Sequence, residues 1–266
     1  MLENINLKKK LSHEEYNRVL PELQHRLYDL EKAAWDNGVP TMIVLEGWDA
    51  SGKGTTTAAL TERLDPRGFR LYPITAPRTH EQQYPWLWRF WLKVPNRGEM
   101  VIFDRSWYLR VLDERVERTV PEKQWREAYR DIVEFERMLA DDGALILKFF
   151  LHISKKEQKK RFRAIEDNPL EAWRVTAADW DRHKKYGQYL AAAEEMLELT
   201  ESEFAPWTIV EATSKWYARR KIFETIIAAM EKQLGSKAPP RTESKKATAK
   251  DAELRSAMES LGAEGV

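Results

Sequence analysis

The stretch TMIVLEGWDASGKGTTTAAL, at residues 41–60, limits the folds open to this chain more than any other segment. A short apolar run predicts a buried strand, a glycine-rich turn follows it, and the residues from Lys53 onward have the pattern of a helix. Gly47 and Gly52-Lys53 have the spacing of a Walker A loop, whose backbone N–H groups, helix N-terminus and lysine together hold phosphate. The order strand, loop, helix therefore predicts a phosphate-binding loop in an α/β protein.

Strand-like and helix-like segments alternate along most of the chain. Strands are predicted at 41–46, 69–75, 99–104, 144–153 and 207–212. Helices are predicted at 13–37, 53–65, 82–95, 106–118, 121–141, 154–166, 176–200 and 214–234, with a kink or restart at Pro21. This alternation predicts a parallel five-stranded sheet with helices on both faces, which is a three-layer α/β sandwich.

The chain is long enough to bury a full core in one large domain with appendages, at 266 residues. We predict an N-terminal helical extension at 1–40 and a phosphate-loop domain at 41–234, with a helical lid at about 154–200. The remaining residues, 235–266, read as a flexible, linker-like tail with one short helix near 251–260.

The composition argues against several classes of protein. The net charge is only +1, so overall charge does not call for nucleic acid or a membrane surface as a partner. The absence of cysteine excludes disulfides and thiolate chemistry, and the five histidines show no metal-ligand spacing. No apolar run reaches membrane-spanning length and the start does not resemble a signal peptide, so a soluble cytoplasmic protein is expected.

A second candidate site element is Asp104-Arg105, which directly follows the apolar strand at 99–104. Open parallel sheets bind ligands at the carboxyl ends of their strands, and a carboxylate there can hold Mg²⁺ beside the transferring phosphates. The alternative for Asp104 is an N-cap of the next helix. Arg105 could clamp a phosphate with two hydrogen bonds, or it could form a structural salt bridge.

The acid Asp49 is unexpected in the middle of a phosphate loop, because a carboxylate beside phosphates costs electrostatic energy unless a cation or a proton compensates it. Two compensations make sense. Asp49 could share Mg²⁺ with Asp104, or it could orient the attacking oxygen of the acceptor. A loop that only bound nucleotide would gain nothing from the acid, so Asp49 favours an enzyme over a binding module.

Basic residues are concentrated at 155–189, between the fourth and fifth predicted strands. In kinases with a phosphate loop this position often holds a lid that closes over the phosphates and excludes water. The candidates are Arg161, Arg163, Arg174, Arg182, Lys184 and Lys185. For any one of them a solvated helix face is an equally good explanation, and the break at 167–173 is a hinge candidate.

Other residues complete the predicted site. Phosphate or nucleotide contacts are assigned to Gly47, Ala50, Gly52, Gly54, Thr55, Arg78 and Arg110, in addition to the lid residues Arg161, Arg174, Arg182 and Lys184. Catalytic roles are assigned to Asp49, Lys53, Asp104, Arg105 and Arg163, and metal binding to Asp49 and Asp104. The aromatic residues Trp86, Trp88, Phe90 and Trp91 could stack on a base, although their spacing is more typical of a core.

Taken together, several blocks resemble the polyphosphate kinase 2 family and, within it, the polyphosphate:AMP phosphotransferase branch. The blocks are GWDASGKGTTT, YPWLWRFW, VIFDRSWYLRVLDERVE, FERMLADDGALILKFFLHISKKEQKKRF, DNPLEAWRVTAADW and SEFAPWTIVEA, within residues 13–234. The resemblance implies a P-loop kinase-like fold, polyphosphate as phosphoryl donor and an adenine or guanine nucleotide as acceptor. It also implies Mg²⁺ or Mn²⁺, phosphate binding by the basic lid, and homodimers or homotetramers. Thr55 stands where the family often has glycine.

Two other hypotheses stay open at this point. An ATP-dependent nucleoside monophosphate kinase of the thymidylate kinase type would share the loop acid, the Asp-Arg pair and the fold. The tryptophan-rich segment after the second strand and the EFAPW block argue against it. A non-enzymatic P-loop regulator is the second alternative, and the intact set of Asp49, Lys53, Asp104 and Arg105 argues against that.

Overall fold

The computed structural model describes residues 2–240, and a single five-stranded sheet lies at its centre. The strands are β1 (Thr41–Gly47), β2 (Phe69–Pro73), β3 (Met100–Asp104), β4 (Leu145–His152) and β5 (Trp207–Glu211). Their order across the sheet is β2-β3-β1-β4-β5, and every neighbouring pair is parallel. The predicted α/β architecture with five parallel strands is confirmed.

The three central strands are β3, β1 and β4, and their sequences are nearly continuous apolar runs because both faces of the sheet are covered. In β4 every residue after Leu145 is buried. The register pairs Leu45 of β1 with Asp104 of β3, so the end of β3 lies directly beside the strand that leads into the glycine-rich loop. The glycine-rich loop and Asp104-Arg105 therefore meet at the carboxyl ends of β1 and β3.

Nine α-helices surround the sheet in the described part of the chain. They are α1 (His13–Asp36), α2 (Lys53–Thr61), α3 (Trp88–Trp91), α4 (Asp113–Val116), α5 (Glu122–Asp141), α6 (Lys155–Glu166), α7 (Ala177–Lys184), α8 (Tyr186–Leu199) and α9 (Lys215–Leu234). Ser12, Ser154 and Ser214 cap α1, α6 and α9, each accepting a hydrogen bond from a backbone N–H of the first turn. The helix α1 packs against α9 and buries Leu27 and Leu30 in the core.

The prediction of one continuous helix at 82–95 is wrong. The structure has a 3₁₀ turn at Glu81–Gln83 and the single turn of α3 instead. Pro85 explains the difference, because a proline disfavours helical dihedrals in the residue before it. Tyr84 is accordingly extended, with φ −116° and ψ 163°.

The helix predicted at 106–118 is also interrupted. A 3₁₀ turn at Trp107–Arg110 precedes α4, and Leu112 between them has the non-helical dihedrals φ −106° and ψ −87°. The side chains of Trp107 and Tyr108 are buried and both hydrogen-bond to Glu136 of α5. Tertiary packing of these two aromatic residues therefore overrides the local helical pattern.

Two further helix predictions differ in detail. The segment 176–200 forms two helices, α7 and α8, that meet at Lys185, and the segment from Lys53 is helical only to Thr61. The helix α1 continues through Pro21 as one element. The carbonyl of Asn17, which loses its helical partner at the proline, belongs to an exposed residue and can bond water instead.

The described chain ends shortly after α9. A 3₁₀ turn spans Gly235–Lys237, and Arg26 of α1 donates a hydrogen bond to the Pro239 carbonyl at 2.8 Å. The helix predicted near 251–260 lies outside the described residues. Within residues 2–240 no helix combines the length and apolarity that crossing a bilayer requires.

Candidate active site

The loop between β1 and α2 is built around positions that require an unusual backbone. Gly47 has φ 125°, and a Cβ there would lie 2.3 Å from the carbonyl oxygen of Leu151 on β4. Gly52, directly before α2, has φ 108°, a conformation that L side chains rarely adopt. Ala50 has φ 58° without being a glycine, so the loop stores backbone strain at its middle.

Lys53 is the first residue of α2, and its side chain folds back over the loop. Its Nζ donates to the carbonyls of Gly47 and Trp48 at 2.8 and 3.0 Å. Burial lowers the pKa of Lys53, and the charge of Arg105 lowers it further, while Asp49 and Asp104 oppose both effects. The ammonium group is thus held at the loop, where a phosphate could replace its carbonyl partners.

Asp49 lies between two arginines. Its Oδ1 accepts a hydrogen bond from Nη2 of Arg105 at 2.5 Å, and its Oδ2 accepts one from Nε of Arg182 at 2.6 Å. Burial would raise the pKa of Asp49, but the charges of Arg105, Lys53 and Arg182 outweigh burial and lower it to about 2. The compensation that the sequence required is therefore a pair of guanidinium groups, one from the end of β3 and one from α7.

Both oxygens of Asp49 accept hydrogen bonds from arginines, and its predicted metal role stays a prediction. Asp104 is different. Among the described residues its carboxylate has no hydrogen bond and no ion pair within 4.0 Å, and a Cβ on Gly54 would lie 3.9 Å from its Oδ2. The N-cap alternative for Asp104 is excluded, because Ser106 caps the following turn.

The residues present fit a magnesium ion held mainly by substrate. The described chain contains no group of three or more His, Cys, Asp or Glu side chains that could form a metal cage. Mg²⁺ at phosphate-transfer sites is commonly bound by one or two carboxylates together with phosphate oxygens and water. One open carboxylate at Asp104, beside the phosphate loop, meets that requirement.

Arg105 is fixed by its backbone as well as by its side chain. It has φ 62°, its N–H donates to the carbonyl of Leu45 at 3.0 Å, and its guanidinium lies 3.5 Å from a carboxylate oxygen of Asp113. The next residue, Ser106, donates to the buried carboxyl of Glu46 at 2.8 Å. Strain at a residue held by this many contacts is typical of functional positions.

A small cavity of about 40 Å³ lies among these groups. It is lined by Glu46, Gly47, Trp48, Asp49, Arg105, Leu112, Asp113, Phe150, Gln158, Arg182, Tyr189 and Ala193. Burial raises the pKa of Glu46 to about 7, despite the hydrogen bond from Ser106, and burial also raises the pKa of Asp113. The cavity therefore lies between the loop, the end of β3 and the helices α6, α7 and α8, and both acidic and basic side chains line it.

Sequence reasoning missed Glu46, Asp113, Gln158 and Tyr189 as site residues. The only available signal was for Glu46, a charged residue inside an apolar strand directly before the loop. Asp113 was hidden inside a segment that reads as a continuous helix, and Gln158 and Tyr189 have no distinguishing pattern. The places of Gln158 and Tyr189 at the cavity depend on how α6 and α8 pack against the loop.

The structure separates the predicted lid residues into two groups. Arg182 reaches Asp49, and Arg161 donates to four backbone carbonyls, those of Ala50, Ser51, Ala212 and Thr213. Within the described residues the others form no hydrogen bond or ion pair with the loop or with Asp49, although Lys184 and Lys185 line a second cavity together with Arg182. Their roles at phosphate stay predictions. Arg163 is exposed on α6, Arg174 pairs with Glu171 at 2.7 Å, Lys184 with Asp181 at 2.8 Å and Lys185 with Glu117 at 2.5 Å.

The remaining candidates are placed as follows. Thr55 is exposed at the start of α2, and its Oγ1 donates to the carbonyl of Gly52 at 3.1 Å. Arg78 is also exposed. Arg110 forms an ion pair with Glu114 at 3.0 Å and stacks on the Trp86 ring. Phe90 is buried and Trp86 packs on the core. These two aromatic residues therefore match the core interpretation, whereas Trp91 remains 40% exposed.

The loop, the end of β3 and the two arginines can together bind and activate phosphates. The loop N–H groups, the N-terminus of α2 and Lys53 supply positive charge, Asp104 offers a carboxylate for a divalent cation, and two arginines stand on either side of Asp49. Positioning and charge neutralisation are the chemistry that the site can provide.

Comparisons with known proteins agree with this geometry. The polyphosphate kinase 2 family model matches residues 10–238. The chain is 40% identical over 232 residues to a polyphosphate:AMP phosphotransferase of Pseudomonas syringae pv. tomato, which is 87% of this chain and 47% of that protein. It is 37% identical over 228 residues to an AMP/ADP-polyphosphate phosphotransferase of Meiothermus ruber, 85% of each. The chain spans about half the length of the Pseudomonas relative.

A solved structure shows the same fold. A crystal structure of polyphosphate kinase 2 from Arthrobacter aurescens matches with a TM-score of 0.85 and 28% sequence identity, over 96% of this chain and 93% of that one. The predicted P-loop kinase-like fold is thereby confirmed.

Proposed function

Because this chain belongs to the polyphosphate kinase 2 family, we propose that it transfers a phosphoryl group between inorganic polyphosphate and a nucleotide, from AMP to ADP, from ADP to ATP, or both. The observation that carries the proposal is the intact set of Asp49, Lys53, Asp104 and Arg105, assembled at the carboxyl ends of β1 and β3 in a chain matching this family over residues 10–238. The printed names of its relatives, polyphosphate:AMP and AMP/ADP-polyphosphate phosphotransferase, support these substrates.

Phosphate binding falls to the loop in this proposal. The N-terminus of α2 and the N–H groups around Gly52 attract the anion, and Lys53 exchanges the carbonyls of Gly47 and Trp48 for phosphate oxygens. Because the lysine is already held within 3.0 Å of these carbonyls, it needs little movement to make the exchange. The loop therefore orients the phosphates before transfer.

Asp104 would hold the divalent cation, Mg²⁺ or Mn²⁺. When bound, the cation supplies positive charge that neutralises the phosphate oxygens. Asp104 lies beside Leu45 at the carboxyl end of β3 and adjoins Gly54 at the start of α2, so its carboxylate lies close to the loop. Asp49 would be a second ligand through the lone pairs that its hydrogen bonds to Arg105 and Arg182 leave free.

Asp49 organises the arginines. Its single negative charge holds Arg105 from the strand end and Arg182 from the lid at hydrogen-bond distance, and so keeps two cations together that would otherwise repel. Both arginines can then stabilise the negative charge of the transferring group and of the leaving phosphate. This gives Asp49 a task in phosphoryl transfer that needs no metal.

Three finer points belong to the same proposal. We propose adenine nucleotides as the main acceptors with guanine nucleotides as a further class, a homodimer or homotetramer as the assembly, and the cytoplasm as the location. The first follows the names of the relatives, one of which is a GDP-polyphosphate phosphotransferase, and the second follows the family resemblance. The third follows from the acceptors, because nucleotides are metabolites of the cytoplasm.

Donor choice tests the proposal most directly. The protein is incubated with Mg²⁺ and AMP, ADP, GMP or GDP, with either polyphosphate or ATP as donor, and the nucleotide products are separated. Phosphorylation with polyphosphate supports the proposal, and the panel identifies the acceptor. ADP formed from AMP with ATP alone would replace the proposal with an ATP-dependent nucleoside monophosphate kinase.

A variant separates an enzyme from a binding protein. Lys53→Ala should lower turnover by about 10²-fold or more, on the scale of losing one preorganised electrostatic group. A chain that binds polyphosphate but shows no turnover with any acceptor, with or without Lys53, would instead be a regulator.

A further inference from the structure

Arg161 of α6 uses its whole guanidinium group on the protein. Its Nε donates to Glu157 at 2.8 Å, its Nη1 to the carbonyls of Ala50 and Ser51 at 2.9 and 3.1 Å, and its Nη2 to the carbonyls of Ala212 and Thr213 at 2.7 and 3.1 Å. An arginine has five N–H donors, and these contacts account for all five. No donor is left for a phosphate while this arrangement persists.

Nη1 of Arg161 contacts the part of the phosphate loop, Ala50 and Ser51, that contains a strained non-glycine backbone. Ala50 has φ 58°, a strained conformation for a non-glycine residue that persists only where surrounding contacts hold it. Gln158, one turn before Arg161 on α6, donates its Nε2 to the carbonyl of Asp49 at 3.2 Å. Three consecutive carbonyls, those of Asp49, Ala50 and Ser51, are therefore held from the same helix.

The direction of these carbonyls determines the direction of the N–H groups. In a trans peptide the C=O and the N–H of one unit are antiparallel, and the chain has no cis peptide among its described residues. When α6 holds the carbonyls of Asp49 and Ser51, the N–H groups of Ala50 and Gly52 point away from α6. Within residues 2–240 neither N–H donates to another protein group, whereas that of Ser51 closes a turn on Trp48 at 3.0 Å.

We propose that Arg161, with Gln158, is a positioning residue that sets the peptide orientation of the phosphate loop and so presents the N–H groups of Ala50 and Gly52 to phosphate. The proposal rests on the proposed function of the loop as a phosphate site. It replaces the expectation that Arg161 contacts phosphate itself. Backbone N–H groups that converge in this way form anion-binding concavities, and their binding depends on orientation more than on side-chain charge.

The other half of the guanidinium ties the loop to a second segment. Ala212 and Thr213 follow β5 and precede α9, and their carbonyls accept from Nη2 at 2.7 and 3.1 Å. The planar guanidinium thus bridges two loops that come from opposite ends of the domain sequence. A lysine has one charged nitrogen with three donors and no planar fork, so it cannot bind all four of these carbonyls at once.

This difference between arginine and lysine provides the test. Turnover, KM for polyphosphate and Tm are measured for wild type, Arg161→Lys, Arg161→Gln and Gln158→Met. Lys160→Gln is the matched control, because it removes one positive charge from an exposed position on the same helix. Binding of tripolyphosphate to each variant is measured by calorimetry, which does not require turnover.

If Arg161 is a positioning residue, Arg161→Lys should lose turnover nearly as strongly as Arg161→Gln. The expected loss is about 10²-fold, on the scale of misplacing a preorganised set of hydrogen-bond donors. Both variants should bind tripolyphosphate more weakly, Gln158→Met should show a smaller loss of the same kind, and Lys160→Gln should match wild type. The variants are compared well below the lowest Tm, so that unfolding does not produce the result.

Two outcomes would overturn the proposal. Retention of most activity and binding by Arg161→Lys would show that charge is what matters and that Arg161 acts as a phosphate ligand. Wild-type turnover and binding in all Arg161 variants would show a purely structural role. If wild type used ATP but not polyphosphate, the proposed function would fail, yet the same variants assayed with ATP would still decide the role of Arg161.

Discussion

The carboxylate of Asp49 in the phosphate loop accepts a hydrogen bond at 2.6 Å from Arg182 of α7, which lies 133 positions later in the chain. Arg105 donates to the other carboxylate oxygen, so Asp49 connects α7 to the end of β3. The acid that appears misplaced in the loop sequence is thus the anion between two cations.

Asp49→Asn keeps the shape of the side chain but removes the charge that holds Arg105 and Arg182. We expect turnover to fall by about 10²-fold or more, because a preorganised pair of cations loses its counter-charge. The measurement is kcat and KM with polyphosphate as donor. Asp36→Asn is the control, since it breaks only an exposed pair with Lys32. Weaker donor binding with unchanged kcat would show that Asp49 positions neither the arginines nor the acceptor.

Asp104 should set the metal requirement. Chelation with EDTA should abolish turnover, and added Mg²⁺ or Mn²⁺ should restore it. Asp104→Asn should raise the Mg²⁺ concentration that gives half-maximal turnover and lower maximal turnover by about 10²-fold, because a neutral amide binds a hard cation weakly. Asp142→Asn, which alters an exposed pair with Arg97, should titrate like wild type. An unchanged Mg²⁺ midpoint in Asp104→Asn would place the cation elsewhere.

Two glycine substitutions should have opposite effects on stability. Gly47→Ala places a Cβ 2.3 Å from the Leu151 carbonyl at φ 125°, so we expect severe destabilisation, by more than about 3 kcal/mol. Gly187→Ala in the first turn of α8 meets nothing within 4 Å and should stabilise by up to about 1 kcal/mol. Urea unfolding measures both, and equal effects would contradict the geometric argument.

Lys148 and Glu136 form a fully buried ion pair at 2.8 Å, between β4 and α5. Lys148 also donates to Tyr108 Oη and to the Thr200 carbonyl, so all three of its donors are used. Lys148→Met should cost about 3–5 kcal/mol of unfolding free energy, because it leaves an unpaired buried carboxyl. Adding Glu136→Gln to that variant should restore part of the loss. Strict additivity of the two substitutions would show that the pair is not coupled.

Stability should depend on pH through Glu46. Burial raises the pKa of its carboxyl from 4.5 to about 7 in the folded chain, so the folded state holds an extra proton between these pH values. The unfolding free energy should therefore fall as pH rises from about 4.5 to about 7, by at most about 3 kcal/mol from this group. Glu46→Gln should flatten that slope while still accepting the hydrogen bond from Ser106. An unchanged slope would assign the effect to Glu31, whose pKa burial also raises to about 7.

The strands and the phosphate loop could be predicted from the sequence, because their signals are local. The short apolar run at 41–46, ended by Gly47, indicates a buried strand, and the spacing of Gly47, Gly52 and Lys53 indicates the loop. Asp104 was found for the same reason, since a carboxylate at the end of an apolar strand is placed by the sheet itself. The helices at 82–95 and 106–118 were overpredicted where Pro85 and the burial of Trp107 and Tyr108 decided the backbone.

The sheet, the loop and the need for a counter-charge at Asp49 can be predicted from residues close together in the chain. Which cations supply that charge depends on how distant segments pack. Arg161 and Arg182 are both lid arginines with no local difference, yet one holds backbone carbonyls and the other binds Asp49. The division arises from the path of α6 and α7 over the loop, and contacts across more than 100 residues leave no pattern in a single sequence.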